Sequence, residues 1–132
     1  MGQDLLVNEA IEHGAELVRR FHEFEPVYVA FWLNDSERNR NDIYIATVKT
    51  DADPSVGYGE IVRLRRELRS PWLGTFRVRL IDSKNPLAVE AHAYISLYPG
   101  RSSLQFGARS FGSREVESVY IYAPPEPAIA TV

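Results

Sequence analysis

P-V-Y-V-A-F-W-L at 26–33, N-D-S-E-R-N-R-N-D at 34–42 and I-Y-I-A-T-V-K at 43–49 decide the fold. Two runs rich in Val, Ile, Tyr, Phe, Trp and Thr flank nine residues with no apolar member. Such side chains suit a pleated, half-buried surface, and an Asn/Asp/Ser cluster suits a reversal of direction. The stretch Pro26 to Thr50 therefore predicts a β-hairpin with a long loop, the hydrophobic floor on which helices pack. Alternation puts Val27, Val29, Phe31 and Leu33 on one face and Tyr28, Ala30 and Trp32 on the other. In the second strand Ile43 and Ile45 oppose Tyr44, Ala46 and Val48. Neither strand has a polar face, so each is expected to be central or covered on its second side by a helix or a partner.

Upstream, Leu6, Val7, Ala10, Ile11, Gly14, Leu17, Val18 and Phe21 recur at three- and four-residue spacing. They predict an amphipathic helix from about Asp4 to His22, with Asp4 as N-cap and Glu16–Arg20 in the favourable order. Gly14 in its apolar stripe is tolerable if it lets a strand approach closely. Downstream, Asp53-Pro54 reads as a helix start and Ser70-Pro71 as the stop after Arg69. Phe76, Val78 and Leu80 alternate with Arg77 and Arg79, predicting an edge strand over 76–81. Second strand, helix and third strand then form a possible crossover unit. Asn85-Pro86 repeats the helix-start signature, and Ala-rich 87–95 reads as a short helix, although A-V-E-A-H-A-Y-I also alternates. Residues 102–109 and 115–122 predict a closing hairpin, with Gly107 and Gly112 weakening its first arm and marking a bulge.

The chain has 132 residues, 45% of them apolar, 25% charged and none cysteine. That size fits one domain, and the missing cysteines remove disulfides, thiolate nucleophiles and cysteine-bound zinc together. No apolar run approaches the roughly eighteen residues of a membrane span, and no basic-then-apolar leader opens the chain, so the cytoplasm is the expected compartment. The net charge of −3 hides an asymmetry. Residues 1–62 carry five Lys/Arg against twelve Asp/Glu, while residues 63–132 carry ten against six. Opposite halves attract within a fold or across a dimer, and a basic stripe can also meet phosphate.

Motifs with chemistry are few. His13 and His22 stand nine apart on one helix and His92 lies far off, so no metal-ligand spacing arises. Gly57-Tyr58-Gly59 lacks the third glycine of a dinucleotide fingerprint, because position 62 is Val, and reads as a helix-start loop. Asp51, Asp53, Asp82 and Lys84 faintly suggest the acid set of a metal-dependent nuclease. Arg63, Arg66, Arg69, Arg77 and Arg79 are the sharpest signal. Aligned on a helix and an exposed strand face, they would make a phosphate-contacting stripe, with Tyr58 and Trp72 to stack bases.

The blocks A-F-W-L at 30–33, I-Y-I-A at 43–46, G-Y-G-E-I-V-R-L at 57–64, N-P-L-A at 85–88 and V-Y-I-Y at 119–122 stand in that order. Together they resemble a group of small uncharacterised bacterial proteins built as helix, hairpin, helix, strand, helix and closing hairpin. The resemblance covers about residues 10–122 and implies packing rather than chemistry. N-R-N-D before the second strand departs from the group, where an aromatic is common.

The expected fold is a single α+β domain over 1–122, in the order αββαβ(α)ββ, with a Pro-rich tail at 123–132. It should hold a mixed, mainly antiparallel five-stranded sheet with helices on one face. The expected function is that of a cytoplasmic interaction or accessory protein with no catalysis of its own and no cofactor or metal. Nucleic-acid binding through the Arg stripe is the alternative, and a nuclease-like enzyme the minor one. With helices on one face only, Tyr28, Trp32 and Tyr44 lack cover. A homodimer or a protein partner is therefore expected there, since large exposed aromatic patches are uncommon on monomers.

Overall fold

The hairpin at the centre forms from the two apolar runs that predict it. The computed structural model describes residues 8–35, 40–47, 54–69, 77–98 and 103–123. Its elements are α1 (Asn8–Phe24), β1 (Val27–Asp35), β2 (Arg40–Thr47), α2 (Pro54–Leu68), β3 (Arg77–Asp82), α3 (Pro86–Ser96), β4 (Ser103–Phe106), β5 (Arg109–Phe111) and β6 (Arg114–Tyr122). They build one α+β sheet domain in the order β3-β2-β1-β6-β4, with β5 also paired to β6. Among the described strands only β2 and β3 run parallel, bridged by α2, so the crossover unit exists and β3 takes the expected edge. The predicted N-caps Asp4 and Asp53, with Val48, Trp72, Phe76 and the tail from Pro124, lie outside the described residues.

The sheet has six strands where five were expected. The first arm of the closing hairpin breaks at Gly107 and Ala108 into β4 and β5, and both pair with β6. Gly112 and Ser113 turn the tip, both with left-handed φ (57° and 69°), the conformation a two-residue hairpin turn demands. A Cβ on Gly112 would also lie 2.5 Å from Leu87 Cδ2, so the tip seats directly on the start of α3.

Helices lie on both faces, not on one. Ala10, Leu17, Val18 and Phe21 of α1 and Ile61 and Leu64 of α2 pack with Trp32, Ile43, Ile45, Val78, Leu80 and Tyr122. On the opposite face Leu87, Ala88, Ala91 and Ile95 of α3 pack with Phe31, Leu33, Tyr44, Phe111, Val119 and Ile121. Asn85 caps α3, its side chain accepting from Leu87 N–H (2.9 Å), which settles the helix-or-strand ambiguity of that segment. A bulge in β1 between Val27 and Val29 corrects the expected alternation. It brings Val27 to Trp32's side and leaves Tyr28 beside Val29, because an extra residue on one strand shifts the pleat.

Close approach of α1 rests on Gly14, as its place in the stripe suggested. A Cβ there would stand 2.6 Å from Tyr122 Oη and 2.9 Å from Trp32 Cζ2. Gly57 does the same for α2 against Leu80, at 2.7 Å. The Gly57-Tyr58-Gly59 run therefore lies inside the helix, not in a loop before it. Beneath α1, Trp32 Nε1 donates to Tyr122 Oη and that hydroxyl donates to the Ile11 carbonyl, each at 2.7 Å. Burial raises the Tyr122 hydroxyl above its ordinary pKa, with the Trp32 hydrogen bond working against it.

Candidate functional site

The three aromatics expected to face a partner are covered by their own chain. Trp32 is 1% exposed under α1 and Tyr44 is 4% exposed, stacked on Phe31 at 5.2 Å. Tyr28 is half-buried, its ring stacked on His92 of α3 at 4.1 Å. Tyr28 and Tyr44 lie on the face that α3 occupies and Trp32 lies on the other, under α1, so the three share no face and the partner surface assigned to them does not exist as drawn. The physical reason is that hydrophobic period locates a helix but says nothing of which face it will cover.

Cover by α3 moves the exposed apolar surface outward. Along α3 and its exit, Pro86, Val89, Ala93, Ser96, Leu97 and Tyr98 are exposed and none carries a charge. Val89 and Leu97 are 50% and 67% exposed. The helix's one carboxylate, Glu90, turns aside to accept the Gly112 N–H at 2.8 Å. Arg109 fixes the C-terminal half, donating to Tyr94 Oη at 2.9 Å while its guanidinium lies over the Phe106 ring at 4.5 Å. The outer surface of α2 differs. There Val56 and Val62 interleave with Arg63, Arg66 and Glu67.

The five arginines do not form one stripe. Val78 and Leu80 pack under α2, so Arg77 and Arg79 project from the opposite sheet face to Arg63, Arg66 and Arg69. Arg63 is held by Glu60 and Glu67, and Arg20 of α1 reaches the same Glu67 at 3.3 Å. The pair across the α1–α2 seam thus has the reverse polarity of the two halves, its base coming from the acidic half and its acid from the basic one. Hydrogen bonding and the charge of Glu60 raise Arg63 above its ordinary pKa, and Glu16 does the same for Arg19. Tyr58 does not stand free for base stacking, because its hydroxyl accepts the Leu80 N–H at 3.0 Å on the sheet edge.

Arg79 instead joins a cluster that the sequence did not announce. Arg79, Tyr44, Phe31, Ile121 and Leu104 form one row across the sheet, and Arg77 and Asp42 begin the next. Arg79 Nε donates to Asp42 Oδ2 at 3.1 Å, and the Asp42 side chain is only 5% exposed. From the hairpin tip Arg114 Nη1 reaches Tyr44 Oη (3.3 Å) and Asp35 Oδ2 (3.5 Å). Asp35 and Asp42 belong to a run that reads as turn chemistry alone, though they lie in β1 and β2, and Arg114 lies 70 residues beyond Tyr44. Only the curl of the hairpin joins them.

The remaining candidates have structural work. His22 Nδ1 accepts the Val27 N–H at 2.9 Å, closing the α1–β1 junction. Buried Glu25 accepts from Thr47 Oγ1 at 2.9 Å. Asp82 accepts the Lys84 N–H at 2.7 Å within its own turn, and Asp51 and Asp53 lie outside the described residues. Among the described residues no three His, Cys, Asp or Glu lie together as a metal would need, and no helix is long and apolar enough to cross a membrane. Comparison with protein-family models, curated proteins and solved structures returns no match.

Proposed function

We propose that this protein is a small cytoplasmic interaction module without catalysis of its own, and that a second copy docks on the outer face of α3. The uncharged run Pro86, Val89, Ala93, Ser96 and Leu97 carries the reading. Two copies of a chain of net charge −3 repel in general, but two such faces meet without apposing like charges. A two-fold axis makes one patch self-complementary, and Ala93 at its middle lets helix axes approach to about 8–10 Å. An eleven-residue helix is about 16 Å long, so the patch falls short of the roughly 800 Å² per partner of a stable dimer. The association is therefore weak, and the complex forms and dissolves with concentration.

Light scattering over a concentration series tests this. The mass should climb from 15.0 kDa toward twice that value, and Ala93→Glu should hold it at the monomer. A wild-type chain that stays monomeric into the millimolar range rejects the proposal.

A further inference from the structure

We propose that Arg77, Arg79 and Arg114 form a binding site for the phosphoryl group of a small phosphorylated molecule, on the open end of the α3 face. The inference is independent of self-association. Arg77 and Arg79 are alternate residues of an edge strand and share one face. Asp42 takes only Nε of Arg79, so its two terminal nitrogens have no partner among the described residues. Arg77 is exposed and likewise has no ion-pair partner among them. Arg114 approaches from the hairpin tip, and its contacts to Tyr44 and Asp35 bring it over the same patch.

Among the described side chains, three arginines against Asp35 and Asp42 leave the cluster at +1 in a chain of −3. The carboxylates do more than neutralise. A guanidinium held through Nε by a nearly buried carboxylate is oriented before any ligand arrives, and its planar fork then matches a phosphoryl oxygen pair. A lone exposed arginine lacks that orientation. The patch is also bounded, because Asp35 and Asp42 interrupt it between Arg77 and Arg79 on one side and Arg114 on the other, and Arg66 and Arg69 lie on the other sheet face. It suits one phosphoryl group and not the track of phosphates along a polynucleotide.

Titration followed by backbone amide resonances, at constant ionic strength, tests the site. Inorganic phosphate and phenyl phosphate should move residues 42–44, 77–79 and 114 saturably in the millimolar range, while chloride leaves them still. Arg77→Gln, which removes no side-chain hydrogen bond or ion pair among the described residues, should weaken binding at least threefold. Arg77→Gln with Arg79→Gln should weaken it at least tenfold, and Arg66→Gln with Arg69→Gln not at all. Equal shifts with chloride, unchanged binding by Arg77→Gln, or shifts centred on 66–69 would overturn the site. Binding of a single-stranded oligonucleotide at these residues without response to either small phosphate would overturn the small-ligand assignment.

Discussion

The two faces of the sheet are covered by different means. Under α1 and α2 two long helices bury Trp32, Phe21 and Leu64 and turn Glu/Arg pairs to water. On the other face one short helix and a hairpin tip divide the work, and the outer surface is left apolar over α3 and arginine-rich beside it. The first face is finished as a surface. Glu16, Arg19, Arg20, Glu23, Glu60, Arg63 and Glu67 are paired on their own helices or across the α1–α2 seam, as suits a region whose task is stability. The second is finished as a core but not as a surface, and both functional proposals fall there for that reason.

Core substitutions measure the difference. Trp32→Ala should cost about 4 kcal/mol, since it empties a fully buried site beneath α1 and removes the N–H that the Tyr122 hydroxyl accepts. Ile95→Ala under α3 should cost about 2–3 kcal/mol. Denaturant unfolding that reverses this order would break the comparison. Asp42→Ala should cost about 2 kcal/mol, less than a fully buried pair because the Arg79 side chain is 29% exposed.

Tyr122→Phe should follow at about 1–2 kcal/mol, because the Trp32 N–H and the Ile11 carbonyl each lose a partner. It should also change the response to alkali. The folded pKa of Tyr122 is raised above 10, so this group's contribution is complete below about pH 10 and is lost as pH rises, because the unfolded chain ionises first. Wild-type stability should fall above pH 10 by about 1.4 kcal/mol per pH unit from this residue, and the Phe variant should lack that slope. Arg63→Gln, on the finished face, should leave the unfolding midpoint unmoved, since its pairs are exposed. A clear shift there would mean that the Glu/Arg lacework carries stability after all.

Much of the fold was legible because period and caps are local signals. The α1 stripe, the Asn85-Pro86 start of α3 and the alternation of β3 each sit within a few residues. What escaped was non-local. Nothing in L-A-V-E-A-H-A-Y-I says which sheet face α3 covers, so Tyr44 and Tyr28 were assigned to a bare surface that is filled. The hairpin register, which opposes Trp32 to Ile43 and Phe31 to Tyr44, puts Trp32 on the other face under α1. The bulge at Tyr28 was invisible, because one extra residue in a strand apolar on both sides leaves no break in pattern. Arg77 and Arg79 were legible as a pair, yet their partner Asp42 lay in a loop-like run, and Arg114 reached them only through the hairpin tip. Arg63, Arg66 and Arg69 looked continuous with that pair along the chain, but the sheet separates them.

The natural chain has no cysteine, which gives the central claim a direct measurement. Ala93→Cys places a single thiol at the middle of the outer α3 face, and Arg66→Cys places one at a comparably exposed position on α2. Under mild oxidation at matched concentration, the account predicts that the Ala93→Cys protein forms a disulfide dimer at least tenfold faster than the Arg66→Cys protein. Equal rates, or a faster Arg66→Cys dimer, would show that two copies do not meet on α3.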